Sequence, residues 1–166
     1  CQSSFHKSIV KRNLNLENII SLGGNLWSEE SLRLMKEISE KDKKKSCSIM
    51  RSDIGHKNTA AATRFCQAKK LDYELVEDKN YHNFLRKLGS NEKFVFFPKT
   101  PETLSRVVVE ARMMGCSTVT NNLIGATKES WFDLKGPALI EIIRKKRKEI
   151  PQIVVNAFNE NTPSNK

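Results

Sequence analysis

The stretch Phe94-Val95-Phe96-Phe97-Pro98-Lys99-Thr100-Pro101-Glu102-Thr103-Leu104-Ser105-Arg106-Val107-Val108-Val109-Glu110-Ala111-Arg112-Met113-Met114-Gly115-Cys116-Ser117-Thr118-Val119-Thr120 decides the fold. Its first four residues are aromatic or β-branched and apolar on both faces, the pattern of a parallel strand covered on two sides. Pro98 ends that strand. Thr100 can cap a helix with Pro101 at its first position, a favoured place for proline. The helix is predicted to run to Met114 and to stop at Gly115. Residues 117–120 read as the next strand.

The same alternation extends both ways. Upstream lie a strand over 47–50, a helix over 57–70 with Ala61, Phe65 and Ala68 on one face, a strand over 73–76, and a helix over 81–88 stopping at Gly89. Downstream come a loop over 121–126 and a last long helix over 137–148, ended by Pro151. Strands alternating with helices through short connections imply βαβ units. The fold class is therefore α/β, a Rossmann-like parallel sheet with helices on both faces. Ahead of this block, residues 1–16 are polar and basic without clear period. Residues 18–22 read as a short strand ending in Gly23-Gly24, and Ser28 caps a helix to about residue 42 with Leu32, Met35 and Ile38 on one face. Three segments follow: 1–45, a remnant of an N-terminal domain or an inter-domain segment; 46–158, the α/β domain; and 159–166, a disordered tail. Cys1 in place of an initiating Met is read as the start of a trimmed chain.

The 166 residues carry 29 Lys and Arg against 19 Asp and Glu, a net charge of +10, which favours an anionic partner. No apolar run is long enough to span a bilayer, and no N-terminal stretch resembles a secretion signal. Cys1, Cys47, Cys66 and Cys116 are scattered, with no CxxC pair and no Cys/His set at metal-ligand spacing. That spacing argues against zinc and for buried thiols in a reducing, cytoplasmic compartment. No metal site is expected.

In open parallel sheets, ligands sit beyond the carboxyl ends of the strands. The loops after Met50, Val76, Pro98 and Thr120 lie there, and three of them could carry chemistry. Arg51-Ser52-Asp53-Ile54-Gly55-His56-Lys57 combines two cations, a glycine and a following helix start, the parts of an anion site, although it lacks the P-loop spacing. A solvated basic loop would look the same. In the second loop, Glu102 and Glu110 stand eight residues apart. On one helix that is about 12 Å of rise and about 80° of rotation, too far for an acid–base pair but suited to the two ends of an elongated ligand. Glu29 and Glu37 share the spacing on an ordinary amphipathic helix, so context carries the distinction. In the third, Asn121-Asn122-Leu123-Ile124-Gly125, the glycine allows close backbone approach and the asparagines suit a turn.

The strand, Pro98, Glu102, Glu110-Ala111, Gly115 and the next strand together resemble the donor-binding half of GT-B glycosyltransferases of the retaining, family-4 type. The resemblance covers about residues 46–131. It departs from the family pattern at Leu104-Ser105, where Phe-Gly is usual, and at Asn58, where Gly is usual. The resemblance implies a glycosyltransferase. Such an enzyme moves a sugar from a nucleotide-diphosphate sugar to a growing polysaccharide or lipid-linked glycan, with retention and without a metal cofactor. Arg51, Lys57 and Glu102 would be catalytic: the two cations neutralise the leaving diphosphate and Glu102 holds sugar hydroxyls. Glu110 would accept from the ribose. Ser105, Arg106 and Val107 would offer helix-start amides to the phosphates, and Gly125 and Asn122 would lie under the donor sugar. The base pocket would lie near residues 76–81.

The fragment alone would not be fully active. The expected location is cytoplasmic, peripheral at the inner face of a membrane, with no nucleic acid partner. Two alternatives remain open. One is a basic module for nucleic acid or a membrane surface, suggested by Arg144-Lys145-Lys146-Arg147-Lys148. The other is a non-catalytic member of the same fold.

Overall fold

The computed structural model describes residues 1–161. Its centre is a four-stranded parallel sheet of β1 (Lys44–Met50), β2 (Tyr73–Val76), β3 (Asn91–Phe96) and β4 (Ser117–Thr120). The strand order is β2-β1-β3-β4, every pair parallel. The connecting helices are α3 (Thr59–Ala68), α4 (Tyr81–Leu88) and α5 (Arg106–Met113); α1 (Ser4–Leu14) and α2 (Glu29–Ser39) precede the sheet and α6 (Gly136–Asn161) follows it. The α/β, Rossmann-like expectation holds.

Alternation along the strands assigns the two faces. Cys47 and Ile49 of β1 and Val95 of β3 pack against Ala62 and Cys66 of α3. Phe94 and Phe96 point the other way, into a larger core with Leu85 and Leu88 of α4, Val108 and Met113 of α5, Leu32 and Met35 of α2, and Leu139 and Ile140 of α6. β3 is thus apolar on both sides, as its composition required. The chain leaves β1 for β2 with α3 on one face, then crosses to β3 with α4 on the other. That reversal makes the carboxyl ends of β1 and β3 the switch point, where the diverging loops open a crevice.

Several elements depart from the sequence reading. Residues 1–16 contain α1, capped by Ser3, whose Oγ accepts from the His6 amide. Residues 18–22 form no strand; the Leu22 and Gly24 amides donate instead to the carbonyls of Cys1 and Gln2. The helix expected from Thr100 begins only at Arg106. Glu102 is held in an isolated bridge with Ile124, its N–H donating to Leu123 and its carbonyl accepting from Gly125. This tertiary pairing overrides the prolyl start signal, and the helical-rise argument for the two glutamates lapses with it. The helix expected over 57–70 is split: a single 3-10 turn over Gly55–Lys57 is followed by Asn58 at φ 58°, and only then by α3. Pro151 does not end α6 but lies inside it. An interior proline removes one helical hydrogen bond and crowds the preceding turn, yet the helix continues, with buried Ile150 beside the proline on the same face as Ile143. Of the tail expected to be disordered, residues 159–161 are helical and 162–166 lie outside the described residues.

The basic run of α6 is largely paired. Arg144 meets Glu29 at 3.0 Å and also Glu141, Arg147 meets Glu29 at 2.7 Å, and Lys146 meets Glu149 at 2.9 Å. The guanidinium of Arg144 holds the Glu29 carboxyl below its ordinary range. Among the described residues, no helix is long and apolar enough to cross a membrane.

Candidate functional site

A cleft of about 410 Å³ opens at the switch point. β1 supplies Met50 at its end, and the turn after it supplies Lys57. The segment after β3 supplies Glu102, Thr103 and Ser105, and α5 supplies Arg106, Val107 and Glu110.

Lys57 Nζ donates to Glu102 Oε1 at 2.7 Å, with the two side chains 24% and 16% exposed. The same ammonium lies 6.0 Å from the centre of the Phe96 ring. Glu102 is fixed by its backbone pairing with residues 123 and 125, which Gly125 makes possible. A Cβ there would lie 2.2 Å from the Thr103 carbonyl oxygen and 2.6 Å from Ser3 Oγ. Gly125 therefore supports the Glu102 segment from behind.

Ser105 sits at the start of α5 with φ 69° and ψ 85°, left-handed backbone that serine rarely adopts. Its side chain makes no capping bond. Its Oγ is buried without a partner, and the residue is only 5% exposed. Among the described residues, no group accepts from the amides of Arg106 or Val107, whereas those of Val108 and Val109 point back to the Ser105 carbonyl. A strained turn and helix-start amides without an acceptor thus belong to residues that line one cleft, with an orphan hydroxyl buried beside them. The positive end of the helix adds a field that favours an anion there.

Glu110 closes the other end. It is 3% exposed, and its Oε1 accepts from Trp27 Nε1 at 2.9 Å and from the Tyr81 hydroxyl at 2.8 Å. Arg106 Nε stands 3.6 Å from the same oxygen, and its guanidinium lies over the Trp27 ring at 4.6 Å. Burial and the neighbouring Glu110 charge push the Tyr81 phenol well above its ordinary range, so it remains a donor at neutral pH.

No family model, curated protein or solved structure matches this chain.

The structure therefore brings together Lys57, Glu102, Ser105, Arg106, Val107 and Glu110. It leaves three expected residues outside. Arg51 faces Glu77 at 3.4 Å and lines a separate groove of about 760 Å³ with Asp53, Arg64 and Lys99. Asn122 is exposed on the turn after β4, where its neighbour Asn121 donates to the Pro98 carbonyl instead. Gly125 is buried behind Thr103. Sequence reasoning missed Gln2, Asn25 and Trp27, which line or frame the cleft, and reached Tyr81 only as the end of a base pocket over 76–81. Trp27 lies in an irregular segment without periodicity. Tyr81 opens a helix whose N-cap is Asn80, so the turn chemistry was visible but the direction of the ring was not. Among the described residues, no group of three or more His, Cys, Asp or Glu is placed to hold a metal ion.

Proposed function

We propose that this chain is the donor-binding part of a glycosyltransferase and that the cleft takes a nucleotide-diphosphate sugar. The observation that carries the reading is the open start of α5, with the unpartnered Ser105 Oγ buried beside it, in a cleft lined by the pairs Lys57–Glu102 and Arg106–Glu110. A phosphate group supplies the acceptors that these donors lack. Carboxylates accept hydrogen bonds only, so Glu102 and Glu110 suit hydroxyl-rich groups at either end of such a ligand.

In transfer, the bond between the sugar anomeric carbon and the diphosphate oxygen breaks, the acceptor hydroxyl oxygen forms the new bond to that carbon and gives its proton to the leaving diphosphate, and negative charge builds on that diphosphate before the proton arrives. Lys57, Arg106 and the amides of α5 would stabilise that charge electrostatically. Glu102 would hold the sugar. Arg51 would join only after leaving Glu77, an exposed contact that costs little to break. The acceptor, a growing glycan or a lipid-linked one, would approach from outside the described cleft. The pairing of Arg144, Lys146 and Arg147 with carboxylates gives less support to a nucleic-acid module.

Calorimetric titration of the chain with UDP, GDP and ADP tests the reading. Binding of at least one, weakened about tenfold or more by Lys57→Ala and by Glu110→Ala, is expected. If both variants bind every nucleotide as the parent does, the assignment is wrong.

A further inference from the structure

The exposed apolar side chains of this chain are not scattered. More than half of the large ones fall in two short segments, 14–20 and 154–158, and these segments meet at one groove of about 550 Å³. Val10 of α1, Leu16 and Ile20 of the irregular segment after it, and Ile153 and Val154 near the end of α6 line that groove. Leu14 and Val155, beside them in the chain, are more than half exposed. A contiguous apolar patch of this kind marks an interaction surface. Its surroundings are basic: residues 1–20 and 144–158 carry eight Lys and Arg against two Glu. Lys11 pairs with Glu17, and Arg144, Lys146 and Arg147 pair with carboxylates, but Lys7, Arg12, Lys145 and Lys148 meet none among the described residues. On α1, Lys7 and Lys11 flank the Val10 and Leu14 stripe at helical spacing. On α6, Lys148 stands about two turns before Val155 on the same side.

We propose that this groove and its basic rim are a docking face for an anionic lipid bilayer, with Leu14, Leu16 and Val154 set among the acyl chains and Lys7, Arg12 and Lys148 on the headgroup phosphates. The proposal does not depend on the donor-binding reading. Charge and composition choose the bilayer over a protein. The free cations complement anionic headgroups. A second copy of the chain would bring two basic rims together, which like charge opposes. Protein interfaces are enriched in aromatic residues and arginine and depleted of lysine, whereas this face is aliphatic and edged mainly by lysine. Aliphatic side chains with a cationic border are the form that rests in a membrane interface. The run 144–148 as a whole is not this face. Three of its five cations are paired, and Leu139, Ile140 and Ile143 just before it are buried in the core. Cys1 lines the groove and Gln2 lines the cleft, so a docked bilayer lies beside the cleft.

The test is co-sedimentation of the full chain with vesicles of phosphatidylcholine alone and of phosphatidylcholine mixed with phosphatidylglycerol, at low and high salt. The parent should bind the mixed vesicles at least about tenfold more tightly than the neutral ones, and salt should weaken that binding. Leu14→Ser/Leu16→Ser/Val154→Ser should weaken it by about tenfold or more, and Lys7→Gln/Lys148→Gln should weaken it and flatten the salt dependence. Ile54→Ser/Leu75→Ser, which removes exposed apolar groups from the groove around Arg51, should leave it within about twofold. The substituted apolar side chains are all exposed, so the variants should keep the parent's thermal unfolding midpoint. Insertion has its own readout. The fluorescence of Leu14→Trp should shift to the blue on mixed vesicles and be quenched by brominated acyl chains, and that of Leu75→Trp should not.

Absence of binding to the mixed vesicles overturns the inference. So does binding that survives the Leu14, Leu16 and Val154 changes, or that the Ile54 and Leu75 changes weaken as much. Binding without quenching of Leu14→Trp overturns the insertion and leaves charge alone. Dimerisation in sedimentation velocity that the same three serine changes abolish overturns the bilayer in favour of a second copy. Each of these results leaves nucleotide binding, and with it the donor reading, to its own titration.

Discussion

Glu102→Gln is the most informative single change. In the free cleft Lys57 is engaged by Glu102 at 2.7 Å, and both side chains are more than three-quarters buried. An incoming diphosphate must take Lys57 against that competition and must also sit near the Glu102 charge. Two unit charges about 7 Å apart interact by about 2 kcal/mol at an effective dielectric of ~20. Screening by salt and water reduces this to about 1–2 kcal/mol, a factor of roughly 5–30 in affinity. Replacing the carboxylate with an amide removes the repulsion and releases the ammonium, while shape and packing are kept. The variant should therefore bind nucleoside diphosphate roughly 5–30 times more tightly than the parent, and the gain should shrink as salt is raised. A nucleotide sugar should gain less, because the amide replaces an acceptor-only group at the sugar end. Isothermal titration at 50 and 500 mM salt, as order-of-magnitude conditions about a tenfold span of ionic strength, measures both effects. Unchanged or weaker diphosphate binding by Glu102→Gln would refute the picture of an anion cradle plugged by its own acid.

Ser105→Gly separates stability from binding. Glycine relieves the positive φ, so the midpoint of urea unfolding should rise by the equivalent of about 1 kcal/mol, while the lost hydroxyl weakens pyrophosphate binding roughly threefold or more. Gly125→Ala drives a methyl into the Thr103 carbonyl and Ser3, so thermal unfolding should show a loss of at least about 2 kcal/mol, accompanied by loss of nucleotide binding as the Glu102 segment shifts. Alkaline pH is the third handle. Burial raises the Cys66 thiol to about 11 and holds the Cys116 thiol and the Tyr81 phenol above their ordinary ranges. The folded chain thus keeps protons that the unfolded chain releases. Stability should be full below about pH 8 and should fall as pH rises through the ordinary thiol and phenol values towards 11. Urea midpoints across that range should decline, and Tyr81→Phe should flatten part of the slope.

The sheet was legible because its strands say the same thing at every level. Phe94, Val95 and Phe96 are apolar on both faces, and the structure buries both faces. The spans 73–76, 81–88 and 117–120 match the observed elements, since local periodicity and capping agree there with packing. The errors fall where a long-range contact outvotes a local signal. Pro101 looks like a helix start, yet residue 102 pairs with residue 124. Pro151 looks like a stop, yet α6 continues beside buried Ile150. The site was half legible for the same reason. Lys57, Glu102 and Glu110 share one cleft because they follow neighbouring strands, which topology alone predicts. The direction of Arg51 depends on the glutamate at residue 77, and the clamp on Glu110 depends on a tryptophan 83 residues away, which no local pattern announces.

The central claim is that an anion belongs at the open start of α5, and its most direct test is amide chemical-shift mapping during titration with nucleoside diphosphate and pyrophosphate. The account predicts saturating shifts centred on residues 105–107 and 57, with residues 102 and 110 following for the nucleotide. Shifts confined to the groove around Arg51 and Arg64, or none at residues 105–107 at saturation, would contradict it.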